Sequence, residues 1–297
     1  MPFRDDDAID FDALVCQAEF LIEAGVDGVG FGYGSEIFRL TDAERDAALA
    51  AVSRAVRGRV PIIVATGANS THATLQRSQA ARDAGGDVLM VTPPAYASAG
   101  PDELVVHYSA LAEQVGLPII VQDAPGMSGV TMSDALLARL AAEIDLVVAI
   151  KVETVPPAPK VGAVVARVGS TAAVLGGAGG ADFVHELGRG ALGTIPGAAL
   201  PELFVFVWQK FRAGNVTAAR ACFNRFLPLL ALSGRTMDTF LFTQKEILRR
   251  RGILPSARLR TPSEHIDPVY LTELDAMLAD LDLTSLNRRW DITANLS

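Results

Sequence analysis

Cysteine is almost missing from this chain of 297 residues: Cys16 and Cys222 are the only two, far apart in sequence and outside any metal-ligand or redox spacing. A disulfide framework is thereby excluded, and reduced thiols in a cytoplasmic protein are expected. The four histidines (His72, His107, His185 and His265) stand singly, so no protein-bound metal is expected. No apolar run approaches the roughly 20 residues that cross a bilayer, and the acidic stretch from Met1 to Asp10 has no signal-peptide core. Positive charge is in deficit, with 26 Lys and Arg against 34 Asp and Glu and a net charge of −8. Nothing would neutralise phosphates, which argues against nucleic acid or an anionic membrane as partner. The run Arg249-Arg250-Arg251 ends a helical stretch, where cations complement the helix dipole. No glycine-rich dinucleotide fingerprint follows the first strand-like segment, which weakens a doubly wound nucleotide-binding fold.

What remains is an apolar, regularly alternating chain. Half of the residues are hydrophobic, enough for a full core. Short β-rich runs at Val26–Phe31, Val60–Thr66, Asp87–Val91, Pro118–Gln122, Leu146–Lys151, Ala172–Gly176 and Ala191–Ile195 read as strands. Their near-continuous hydrophobicity is that of parallel strands covered on both faces. Amphipathic stretches separate them, several opened by Ser, Thr or Asp, and Thr41-Asp42-Ala43-Glu44 has capping-box spacing. Strand and helix alternating every 25–30 residues or so predict right-handed parallel crossovers, hence an α/β fold that is either a barrel or a doubly wound sheet. The segment from Leu200 to Leu281 is helical in pattern. The expected organisation is a barrel over residues 1–200 and a C-terminal helical extension of the same domain over 201–297. Seven strands are visible and a helix, Phe11–Ala24, begins almost at once, so an eight-stranded barrel either has a first strand upstream of Met1-Pro2-Phe3, the expected case, or closes abnormally.

Barrel chemistry sits at the C-terminal ends of strands, and three such places carry polar residues. Gly32-Tyr33-Gly34-Ser35-Glu36 either cradles a carboxylate with backbone N–H groups and the Ser35 hydroxyl or is a tight turn that needs glycine. At Gln122-Asp123 an amide and a carboxylate end an apolar strand, where a buried Gln must orient a ligand or satisfy a loop. At Ile150-Lys151-Val152-Glu153 a lysine closes a very apolar strand, costly unless paired or neutral. A buried amine that is neutral condenses with ketones. Residues i and i+2 share a strand face, so Lys151 and Glu153 point the same way; a purely structural Lys–Glu pair is the alternative.

From Met1 to about Leu281 the sequence resembles the dihydrodipicolinate synthase / N-acetylneuraminate lyase superfamily. The resemblance is carried by Pro2-Phe3, Ala24-Gly25-Val26-Asp27-Gly28, Gly34-Ser35-Glu36, Leu40-Thr41-Asp42-Ala43-Glu44-Arg45, Gly67-Ala68-Asn69-Ser70-Thr71, Val91-Thr92-Pro93-Pro94, Pro125-Gly126-Met127-Ser128-Gly129, Ile150-Lys151 and Gly176-Gly177. It implies a (β/α)₈ barrel, a homo-oligomer, no cofactor, and a Schiff base between Lys151 and a small 2-keto acid. Gly34 and Ser35 would hold that acid's carboxylate, with Gly176 and Ile195 also facing substrate. The sequence departs from the synthases and sialate lyases at Gln122, where they have a proton-relaying tyrosine, and at Met127, where the synthases have arginine. Gln122-Asp123-Ala124-Pro125 and Lys151-Val152-Glu153 are similar to the branch that includes 2-keto-3-deoxy-L-arabonate dehydratase. Dehydration of a 2-keto-3-deoxy sugar acid is therefore expected, with Glu153 as acid/base, Gln122 orienting substrate or water, and Glu36 structural. A pyruvate-dependent aldolase and a non-catalytic keto-acid binder are the alternatives.

Overall fold

A computed structural model describes residues 1–96, 99–283, 290 and 292. In chain order the first elements are α1 (Phe11–Glu23), β1 (Val29–Phe31), α2 (Asp42–Val56), β2 (Ile62–Ala65), α3 (Thr71–Asp83) and β3 (Val88–Val91). Next come α4 (Pro101–Val115), β4 (Ile119–Asp123), α5 (Pro125–Ser128), α6 (Asp134–Glu143), β5 (Val147–Val152), α7 (Pro157–Val168), β6 (Ala173–Leu175) and α8 (Phe183–Leu187). Four longer helices complete the set: α9 (Pro201–Arg212), α10 (Val216–Ser233), α11 (Met237–Arg250) and α12 (Pro268–Asp280). The chain divides into two compact units, one of Met1–Val29, Tyr33–Val60 and Gly197 onward, the other of Gly30–Gly32 and Pro61–Pro196.

The second unit is built on a six-stranded sheet in the order β1-β2-β3-β4-β5-β6, with the pairs from β2 to β6 parallel. Each crossover is a helix. Ser70 caps α3 through Ala73 N–H and Ser133 caps α6 through Leu136 N–H, while Pro101 and Pro157 open α4 and α7, positions where a missing N–H costs nothing. Valines and leucines of β3 to β6 pack against α4, α6 and α7 in one continuous core that includes Val121, Ile150, Val152, Val161, Val164 and Val174. The strands are thus buried on both sides, as their unbroken hydrophobicity requires.

The strand expected at Ala191–Ile195 is reduced to a single parallel bridge between Gly176 and Thr194. Leu192 N–H donates to Val174 O, Gly176 N–H to Gly193 O and Ile195 N–H to Gly176 O, the last at 3.4 Å. Gly190 precedes this stretch and Gly193 lies within it, and glycine weakens a strand interior; among the described residues six strands therefore form where seven were expected.

The first unit joins α1 and α2 with α9 to α12. Thr41 and Glu44 form the capping box anticipated for α2. Glu36, held with φ at 56°, is fully buried and ion-pairs with Lys245 on α11 and with Arg39. That places Glu36 in a structural charge network, as expected. No helix among the described residues is long and apolar enough to cross a membrane.

Candidate active site at the ends of β4, β5 and β6

Register places the candidate residues. Gln122 pairs with Lys151 and Asp123 with Val152 across β4 and β5, and Lys151 pairs with Leu175 of β6. Paired residues of parallel strands project to the same side and successive residues to opposite sides. Gln122, Lys151 and, two residues on, Glu153 therefore share one face. Asp123 and Val152 look the other way, toward the helices.

The three side chains on the shared face touch. Lys151 Nζ lies 3.1 Å from Glu153 Oε1, and the Gln122 amide donates to Glu153 Oε2 at 2.6 Å. The Ala178 N–H also donates to Glu153 Oε1, at 3.0 Å. Lys151 and Gln122 are buried. Burial pushes the proton affinity of Glu153 up, but the Lys151 charge, the Gln122 amide and the Ala178 N–H outweigh it and hold the carboxyl below the ordinary glutamate value. Glu153 is thus an anion at neutral pH, in contact with the buried Lys151 amine.

Behind the face, Asp123 fixes the loop that carries Glu153. It is fully buried and accepts from Met132 N–H at 3.2 Å and from the Thr154 hydroxyl at 2.7 Å, with Lys160 Nζ 3.4 Å away. Lys160 also donates to Met132 O at 2.6 Å, and Glu153 N–H donates to Asp123 O at 2.8 Å. A buried carboxylate with this many partners is a rigid support.

Of the residues expected to contact substrate, Lys151, Glu153 and Gln122 are brought together. Gly176 and Ile195 meet at the bridge beside β6. Gly34 and Ser35 lie in a short 3₁₀ turn of the first unit (Tyr33–Ser35), where a side chain on Gly34 would meet Phe240. Sequence reasoning missed Glu186 on α8, fully buried beside Gly176. Its signal was an acidic residue set among the apolar Phe183, Val184 and Leu187. Among the described residues no cluster of His, Cys, Asp or Glu could hold a metal ion.

The family model described as the Dihydrodipicolinate synthetase family matches residues 1–281. A relative named L-2-keto-3-deoxyarabonate dehydratase, from Azospirillum brasilense, is 32% identical over 294 residues, 97% of this chain and 93% of its own. A 4-hydroxy-tetrahydrodipicolinate synthase from Sorangium cellulosum is 35% identical over 240 residues, covering 78% of this chain and 77% of its own. Among solved structures, YagE of E. coli K12, a prophage protein of the dihydrodipicolinic acid synthase family solved with pyruvate, superposes with a TM-score of 0.87. Its identity is 25%, and the match covers 95% of this chain and 96% of that one.

Proposed function

The chain belongs to the dihydrodipicolinate synthetase family, and from that premise we propose that it is a lyase whose Lys151 forms a Schiff base with a 2-keto-3-deoxy sugar acid and removes water from it. The observation that carries this reading is the contact of a buried lysine with a carboxylate that is itself held by Gln122. The dehydratase name of a relative covering nearly the whole chain supports the choice of reaction. The pyruvate found with the structural neighbour supports a keto acid as the ligand class.

The chemistry follows from three groups. Glu153 takes a proton from the Lys151 ammonium, and the freed amine attacks the C2 carbonyl. That proton goes to the carbinolamine hydroxyl, which leaves as water and gives the protonated imine. The imine withdraws electrons from C3, so Glu153 removes a C3 proton and an enamine forms. The enamine expels the C4 hydroxyl, which Glu153 protonates, and a second water leaves. The resulting unsaturated imine tautomerises and is hydrolysed, which takes up one water in place of the first one lost and frees the lysine. The net change is loss of one water from C3 and C4. Gln122, where the synthases carry tyrosine, orients Glu153 and brings no titratable proton of its own. Gly34 and Ser35 take the carboxylate-holding role on sequence grounds, and Ser35→Ala tests it as a rise in KM with trapping at saturation unchanged.

Borohydride reduction in the presence of pyruvate or a 2-keto-3-deoxy acid, followed by peptide mass analysis, tests the imine: a stable adduct on Lys151 is expected, and an unmodified Lys151 with every keto acid refutes it. Product analysis tests the second half. An intact, dehydrated carbon chain is expected, whereas pyruvate plus an aldehyde identifies an aldolase.

A further inference from the structure

Two glycines follow β6, and each gives up its side-chain space to a carboxyl. A Cβ on Gly177 would lie 2.5 Å from Glu153 Cγ and 2.6 Å from its Oε1. A Cβ on Gly176 would lie 1.8 Å from Glu186 Oε2. The Cβ positions of these neighbouring residues meet different carboxyls, so the two acids stand on opposite sides of the same two-residue backbone. Glu153 is on the lysine side and Glu186 on the helix side.

Their environments differ sharply. Glu153 has Lys151, Gln122 and the Ala178 N–H. Glu186 is fully buried; the Gly177 N–H lies near its carboxyl, but neither oxygen has a hydrogen bond of ordinary geometry among the described residues. The hydroxyl of Thr194, opposite Gly176 in the bridge, is also buried and without a bond. A carboxylate left bare in this way is costly, and a carboxylic acid is not.

We infer that Glu186 is a positioning residue of the Lys151 site, acting through the Gly176–Gly177 backbone so that its protonation state sets how strongly Lys151 and Glu153 hold their protons. The inference rests on the Schiff-base reading for its consequence in turnover, and on the geometry alone for the coupling of the two acids. The charged groups that bear on Glu186 are Asp182 at the start of α8 and Glu153 and Lys151 at the end of β5. From α7, Lys160 is engaged by Met132 O and Asp123. Burial first, then the like charges of Asp182 and Glu153, push the Glu186 carboxyl up to about 8, offset only in part by the nearby Gly177 N–H and by Lys151. At neutral pH Glu186 is therefore an uncharged acid, and Glu153 alone faces the lysine as an anion. Above that pH a second negative charge appears behind Gly176. Lys151 then keeps its proton more tightly, and the supply of free amine for imine formation is held back.

Two measurements test this. In ¹³C NMR of carboxyl-labelled glutamates, wild type is expected to show a carboxyl titrating near pH 8 that is absent in Glu186→Gln and moves to lower pH in Glu153→Gln. No such carboxyl, or one indifferent to Glu153→Gln, overturns the inference. In borohydride trapping with pyruvate, the rate should level off above about pH 8 in wild type and continue to rise in Glu186→Gln. The variant should lead by up to about tenfold, the effect of a one-unit change in the proton affinity of the lysine. Superimposable profiles from a folded variant overturn the role in the reaction. Failure of wild type to trap any keto acid on Lys151 refutes the proposed function instead, and the coupling of the two acids then stands or falls on the carboxyl titration alone.

Discussion

Gln122 and Lys151 sit side by side in register on β4 and β5 and divide one carboxylate between them, the amide on Glu153 Oε2 and the amine on Oε1. This arrangement is the centre of the candidate site. In the proposed reaction Gln122 brings no proton to relay, and its part is to fix the direction and the basicity of Glu153. Leucine at 122 keeps the volume and removes the donor. A hydrogen bond to a charged group is worth about 1.5–3 kcal/mol, so turnover should fall roughly 10- to 100-fold. Because the bond holds the Glu153 carboxyl down, its loss should also move the acid limb of kcat/KM to higher pH. An unchanged acid limb in Gln122→Leu means that Glu153 is not the group seen in the profile.

Glutamine at 153 removes the anion but keeps the shape. Acid/base groups contribute about 10²- to 10⁴-fold, so Glu153→Gln should lose turnover on that scale while still giving the borohydride adduct on Lys151. Full turnover with persistent trapping would assign the proton transfers elsewhere.

The legible parts of this protein were those set by local pattern. Lys151 and Glu153 stood out because charged residues at the end of Val147-Val148-Ala149-Ile150 are anomalous, and Gln122 because an amide closes Ile119-Ile120-Val121. The six parallel strands were readable for the same reason. Glu186 was not, because a single acid on a short helix reads as a solvated residue. Its burial comes from Gly176, ten residues earlier, and from the crossover that lays α8 over the strand end. The bridge at Gly176 and Thr194 was overread as a strand, since hydrophobicity shows where a strand could pair but glycine content decides how far it does. The role of Asp123 needed its three partners, two of them beyond the next strand.

Asp123 supplies a stability prediction. With one partner removed, a buried ion pair typically costs about 3–5 kcal/mol, because the remaining charge is stranded. Asp123→Ala strands Lys160 and frees both Thr154 and Met132 N–H. The midpoint of urea denaturation should drop accordingly, and Lys160→Met in the same background should restore part of the loss. A midpoint within error of wild type would show that the network is dispensable.

His107 on α4 provides the clearest pH signature. It is 3% exposed, its Nδ1 lies 2.9 Å from the Thr71 hydroxyl, and its Nε2 has no partner among the described residues. Burial lowers its proton affinity from 6.5 to about 4. A neutral histidine in the fold and a protonated one in the unfolded chain mean that unfolding takes up a proton between these two values. Stability from this source is complete above about 6.5 and is lost as pH falls toward 4, with a limiting slope of about 1.4 kcal/mol per pH unit. Carboxylates titrate in the same window, so the diagnostic quantity is the difference between wild type and His107→Gln. The wild-type denaturation midpoint should fall more steeply with acid than that of the variant, the gap opening below pH 6.5 or so and ceasing to grow near 4. Parallel curves across that window would mean that His107 accepts its proton in place, with Nε2 finding an acceptor that the folded packing does not provide.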